Sequence, residues 1–145
     1  MPDESFSKFG YPEALVKEYS NWIVLCASKQ ATLATLLLVC KDKVTAFSKI
    51  SEASFAELPK VLREVENNLQ KLFQNDKINY LMLMMANPEV HFAVFPRYAK
   101  ERKFAGVTFL DKGWPSKPDT DFANEIDDRV FTELVSTLKT AFEGV

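Results

Sequence analysis

The sequence predicts an α+β domain: a mainly antiparallel sheet with two principal helices. Three observations carry that prediction. Two apolar, β-branched runs, "NWIVLCA" (21–27) and "TLLLVCK" (35–41), are joined by the polar connection "SKQATLA" (28–34), as suits neighbouring strands. Two longer segments, from Phe55 to Phe73 and from Val130 to Phe142, repeat apolar residues at three- and four-residue steps, the stripe of an amphipathic helix. The run between those segments is again strand-like, so the order reads β-β-α-β-β-β-α and implies a sheet joined by short connections.

Each element has its own signal. Residues 1–14 form a polar entry segment, and the whole chain, 1–145, reads as one domain. The first helix is capped by Ser51, or by Ser54 with Glu57 three residues on as a capping box. Pro59 removes a backbone donor and crowds the preceding turn, which predicts a kink there or a short first piece ending near Glu57. "KINYLMLMMA" (77–86) and "EVHFAVFPR" (89–97) are strands around an Asn87-Pro88 turn, and "KFAGVTFLD" (103–111) adds one more. A Pro- and Gly-containing loop, 112–124, precedes the last helix.

At 145 residues a chain buries roughly 68–70% of its unfolded surface, enough for one core. Hydrophobic residues make up 47% and charged residues 26%, and no apolar run approaches the roughly 20 residues that span a bilayer, so no membrane is expected. The 18 basic residues are dispersed among 20 acidic ones, which argues against a long nucleic acid as partner. The acidic start lacks the basic-then-apolar order of an export signal, so the expected location is the cytoplasm. There Cys26 and Cys40, both in apolar runs, read as buried thiols. One histidine and no Cys-x-x-Cys pair leave no zinc pattern; neither metal nor cofactor is expected.

The single histidine, His91, stands in "NPEVHFAVFPRY" (87–98). Alternation along a strand puts Glu89, His91, Ala93 and Phe95 on one face, and Val90, Phe92 and Val94 on the core face. By itself that pattern describes an ordinary sheet residue. An imidazole with a pKa near ~6.5 is also a competent nucleophile at neutral pH once its tautomer is fixed, and Glu89 is the candidate for fixing it.

The stretch "NYLMLMMANPEVHFAVFPRY" resembles the signature region of the histidine triad superfamily, in which three histidines alternate with apolar residues and Pro-Arg follows in the diadenosine-polyphosphate-hydrolase branch. "WIVLCASKQATLATLLLVCKDKV" (22–44) is similar to that family's first strand pair. The resemblance implies a five-stranded antiparallel sheet with two helices, a homodimer, and an AMP-like purine nucleotide as ligand. It also implies hydrolysis or transfer at the α-phosphate through the middle histidine, here His91. The triad is degenerate: Glu89 and Ala93 stand where the outer histidines would be, Ala34 and Thr35 where Gly-His opens the second strand, Lys43 at a further histidine, and Ala27 at the ribose-holding residue. His91 and Glu89 are therefore the catalytic candidates, and Asn87, Asn79 and Ser28 the nucleotide-binding ones. A weak hydrolase or transferase is one reading; an inactive protein serving as a nucleotide-binding or dimeric interaction module is the other. Tyr98, Phe109 and Trp114 are candidates for an interaction surface or for plain packing.

Overall fold

The computed structural model describes residues 4–144. A 3₁₀ helix, Glu4–Phe9, leads into three strands: Leu15–Glu18 (β1), Trp22–Cys26 (β2) and Leu36–Cys40 (β3). The helix Glu52–Phe73 (α1) is followed by Lys77–Leu81 (β4) and His91–Arg97 (β5), then by Arg102–Phe104 (β6) and Val107–Phe109 (β7), and Asp128–Glu143 (α2) completes the order. The sheet runs β1-β2-β3-β5-β4 with every neighbouring pair antiparallel, while β6 and β7 form a separate hairpin. The α+β class with a five-stranded antiparallel sheet and two helices is thus observed.

The fifth strand is not the expected one. The 103–111 run splits at Ala105-Gly106, where both residues have positive φ (52° and 80°), the geometry of a two-residue hairpin turn. The edge position is filled instead by β1, whose four residues carry too short a pattern to stand out and whose register shifts between Leu15 and Lys17. The 77–86 run also ends early, at Leu81; Met84 has φ 54°, outside strand geometry, and residues 82–90 are a loop.

Two apolar layers form on opposite faces of the sheet. Trp22, Val24, Leu36, Leu38, Val90 and Val94 face α1 and α2, which contribute Val61, Val65, Leu69, Leu134, Leu138 and Phe142. Ile23, Leu25 and Val39 point the other way and are covered by Phe6 and Phe9 of the 3₁₀ helix. β2 is buried at every position, as a continuous apolar run covered on both faces must be. The segment expected to be a polar entry is therefore packed on the sheet through two aromatic side chains; Met1 to Asp3 lie outside the described residues.

Ser51, not Ser54, caps α1, accepting from the Ser54 N–H at 3.1 Å. The expected break at Pro59 is absent, and α1 is continuous from Glu52 to Phe73. Pro59 sits on the exposed side, where water can satisfy the carbonyl that lost its donor. Tyr98 and Phe109 are buried in the main core rather than on a surface, and Trp114 is half-buried. Cys26 and Cys40 are free and buried, and burial pushes the Cys26 thiol up to about 12.

Candidate functional site

The register Val39↔His91 and Leu37↔Ala93 puts His91 and Ala93 on the sheet face away from the helices. His91 is half-buried there, at the first position of β5. Its Nδ1 lies 2.8 Å from the main-chain oxygen of Glu89. A carbonyl only accepts, so Nδ1 carries the hydrogen, and Nε2 is the lone-pair nitrogen of the neutral ring. The group that orients the imidazole is thus the Glu89 carbonyl rather than the Glu89 carboxylate.

That carboxylate is bonded to a lysine instead. Both of its oxygens accept from Lys8 Nζ, at 2.7 and 2.6 Å, and this hydrogen-bonded cation holds the Glu89 carboxyl below the usual carboxylate range. Phe9, the next residue along the 3₁₀ helix, sets its ring against the His91 ring with centroids 5.2 Å apart. Glu89, His91, Lys8 and Phe9 consequently form one cluster from opposite parts of the chain. Nothing in the strand pattern points to Lys8 or Phe9. The only sequence signal is the spacing of Phe6 and Phe9, two large apolar residues one helical turn apart in a polar segment.

Beyond Ala93 the face opens into a cavity of about 210 Å³, lined by Ala27, Ser28, Lys29, Leu37, Ala93 and Phe95 among others. Thr120, from the long loop before α2, forms part of the wall, and Lys29 Nζ donates to the Thr120 carbonyl at 2.7 Å. The wall is anchored from behind by Gln30, which is fully buried. Its amide donates to the carbonyls of Ala27 (2.7 Å) and Thr35 (3.0 Å) and accepts from the Ala34 N–H (2.8 Å). Asn124 ties the same turn to the far loop, donating to the Gln30 carbonyl at 3.0 Å and to that of Leu110 at 3.0 Å. Both polar atoms of the Gln30 side chain and its carbonyl are hydrogen-bonded, which ties down the turn beside the cavity.

Of the remaining candidates, Asn79 is engaged by other groups. Asn79 Oδ1 accepts from Arg97 Nη1 at 2.6 Å, and Arg97 also forks onto Asp111, with Nε–Oδ2 at 2.7 Å and Nη2–Oδ1 at 3.0 Å. Both charged side chains are almost wholly buried. Asn79 thus serves a structural ion pair, and the arginine of the Pro-Arg that closes β5 is explained by the same pair. Asn87 lies in the loop before β5, half-buried, and is not among the residues lining the cavity. Ser28 is at the cavity.

No family model matches the sequence, and no curated protein matches it. Solved structures do. A histidine triad protein from Sinorhizobium meliloti 1021 superposes with a TM-score of 0.73 at 17% identity, over 97% of this chain and 96% of the other. The chain has the histidine triad fold. A histidine triad protein from Bradyrhizobium japonicum (TM-score 0.69, 18% identity, 90% of this chain and 92% of the other) gives the same match. So does a hypothetical histidine triad nucleotide-binding protein from Sulfolobus tokodaii strain7 (0.69, 16%, 97% and 90%). Within the histidine triad fold one backbone detail stands out. Ala34, at the position that the sequence resemblance assigns to glycine, has φ 66°, the left-handed region in which glycine is at ease.

Proposed function

We propose that this protein binds a purine nucleotide of the AMP type on the sheet face away from the helices, where that face opens beyond Ala93, with its phosphate toward His91, and that any nucleotidyl transfer at His91 is slow. The observation that carries this reading is the imidazole held by the Glu89 carbonyl, with Nε2 left as the nucleophilic nitrogen, two residues along β5 from the Ala93 that lines the cavity. A cavity of about 210 Å³ is smaller than the ~300–1,000 Å³ of typical ligand pockets, so it fits one moiety of a nucleotide and leaves the rest outside it, toward His91.

Slow turnover follows from what surrounds His91. Removing one preorganised donor from a catalytic site costs about 10²–10³ in rate, and Ala93 and Thr35 offer no imidazole at the positions the resemblance assigns to histidines. Glu89 is ionised at neutral pH and cannot protonate a leaving group. Two measurements test the reading. Calorimetry with AMP should give saturable binding that weakens in His91→Ala. Intact-mass analysis after incubation with an adenylated substrate should give a nucleotidyl adduct in the wild type and none in His91→Ala. Absence of heat at millimolar AMP would end the reading; binding without any adduct would reduce it to the pseudoenzyme.

A second copy of the chain is the partner that the surface favours. β4 is an edge strand, and Leu83 and Met85 just after it are exposed, as are Phe47, whose ring meets that of Phe92, and Phe55 against Phe47. Unpaired strand edges flanked by apolar side chains associate.

A further inference from the structure

Apart from steadying the short 3₁₀ helix, the Lys8–Glu89 pair adds little to the fold. Both side chains are partly open to solvent, 37% for Lys8 and 23% for Glu89, and an exposed ion pair contributes little to stability. Its position is the notable feature. Lys8 precedes the residue whose ring contacts His91, and Glu89 supplies the carbonyl that orients His91, so the ammonium is fixed in the cluster that holds the imidazole.

We propose that Lys8 is the phosphate-binding cation of the site, a role that rests on the nucleotide reading above. A carboxylate next to His91 repels a phosphate. Lys8 cancels that charge and has donors to spare: an ammonium carries three N–H groups, of which two are directed at the Glu89 oxygens. The third is left for a ligand oxygen without breaking the pair. Charge-assisted hydrogen bonds to phosphate are the strong ones, and this one would come from the 3₁₀ helix, not from the strands that carry His91. In this arrangement Glu89 positions Lys8 as well as His91, one through its carboxylate and the other through its carbonyl.

The test compares affinities for AMP and adenosine in the wild type, Lys8→Gln and Lys8→Arg, with melting temperatures recorded for each. Lys8→Gln should weaken AMP about tenfold, equivalent to about 1.4 kcal/mol, with adenosine and the melting temperature unchanged. Lys8→Arg, which keeps the charge, should restore most of the AMP affinity. The proposal is overturned if Lys8→Gln binds AMP as the wild type does. It is overturned equally if AMP affinity falls only with a matching fall in melting temperature or in adenosine binding, because the role is then structural. If the wild type binds neither AMP nor adenosine at millimolar concentration, the nucleotide reading itself fails and this proposal with it; an AMP site indifferent to Lys8 removes this proposal alone.

Discussion

Arg97 shows how much a single side chain decides. It is inside a protein whose other interior groups are overwhelmingly apolar, and its charge is tolerated because Asp111 meets it with two oxygens and Asn79 with a third. Asp111 is also the acceptor for the Tyr98 N–H, at 3.0 Å, so the pair stitches the end of β5 to the segment just after β7. Removing one partner of a buried ion pair leaves the other charged and unsolvated. Arg97→Met is therefore expected to cost about 3–5 kcal/mol in urea unfolding. The replacement of both Arg97 and Asp111 by apolar residues should cost much less. Equal losses for the single and double variants would show that the pair is not what holds this corner.

At the scale of elements, α1 and the 3₁₀ helix behave against local expectation for opposite reasons. α1 runs through Pro59 because tertiary packing of Val61, Val65, Leu69 and Phe73 fixes the helix beyond it. The unmade hydrogen bond is a standing cost, so Pro59→Ala should stabilise by about 1–3 kcal/mol, with denaturant midpoint as the measure. The 3₁₀ helix has little intrinsic stability and is held by Phe6, Phe9 and the Lys8–Glu89 pair. The Glu89 carboxyl is held below its ordinary value of 4.5, chiefly by the Lys8 hydrogen bond. Its contribution is then complete above that ordinary value and is lost as pH falls through the lowered one. Hydrogen-exchange protection of the Gly10 and Tyr11 amides, which close this turn onto Ser7 and Phe6, should fall on acidification through that range. In Glu89→Gln the protection should already be reduced at neutral pH and lack this acid step. An unchanged acid step in Glu89→Gln would assign it to another group.

For the whole molecule, the exposed residues after β4 set the prediction. Leu83 and Met85 are 63% and 84% exposed, adjoining the free edge of the sheet. If that edge pairs with its counterpart, light scattering should report twice the chain mass, and Leu83→Asp combined with Met85→Asp should return the mass to that of one chain. A wild type that stays monomeric at high micromolar concentration would remove the homodimer from the reading. No described helix is long and apolar enough to cross a membrane, so this apolar edge is not part of a helical span.

Local pattern determined what could be read directly: the two helices, β2, β3 and β5, the α+β class, and the face on which His91 lies. Those features follow from residue periodicities of 3.6 and 2, which a stretch of chain expresses without its neighbours. Tertiary structure alone decided the membership of the fifth strand, the burial of Phe6 and Phe9, and the partners of His91, Asn79 and Glu89. β1 is a strand because its backbone pairs with β2, and pairing of main chains leaves little trace in four side chains. Asn79, read as a ligand contact, is occupied by Arg97 from a position 18 residues away, and Glu89 by Lys8 from 81 residues away. Contacts of such separation are set by how the sheet closes and not by any local spacing. The sequence therefore located the imidazole, and only the fold showed which oxygen orients it and which cation stands beside it.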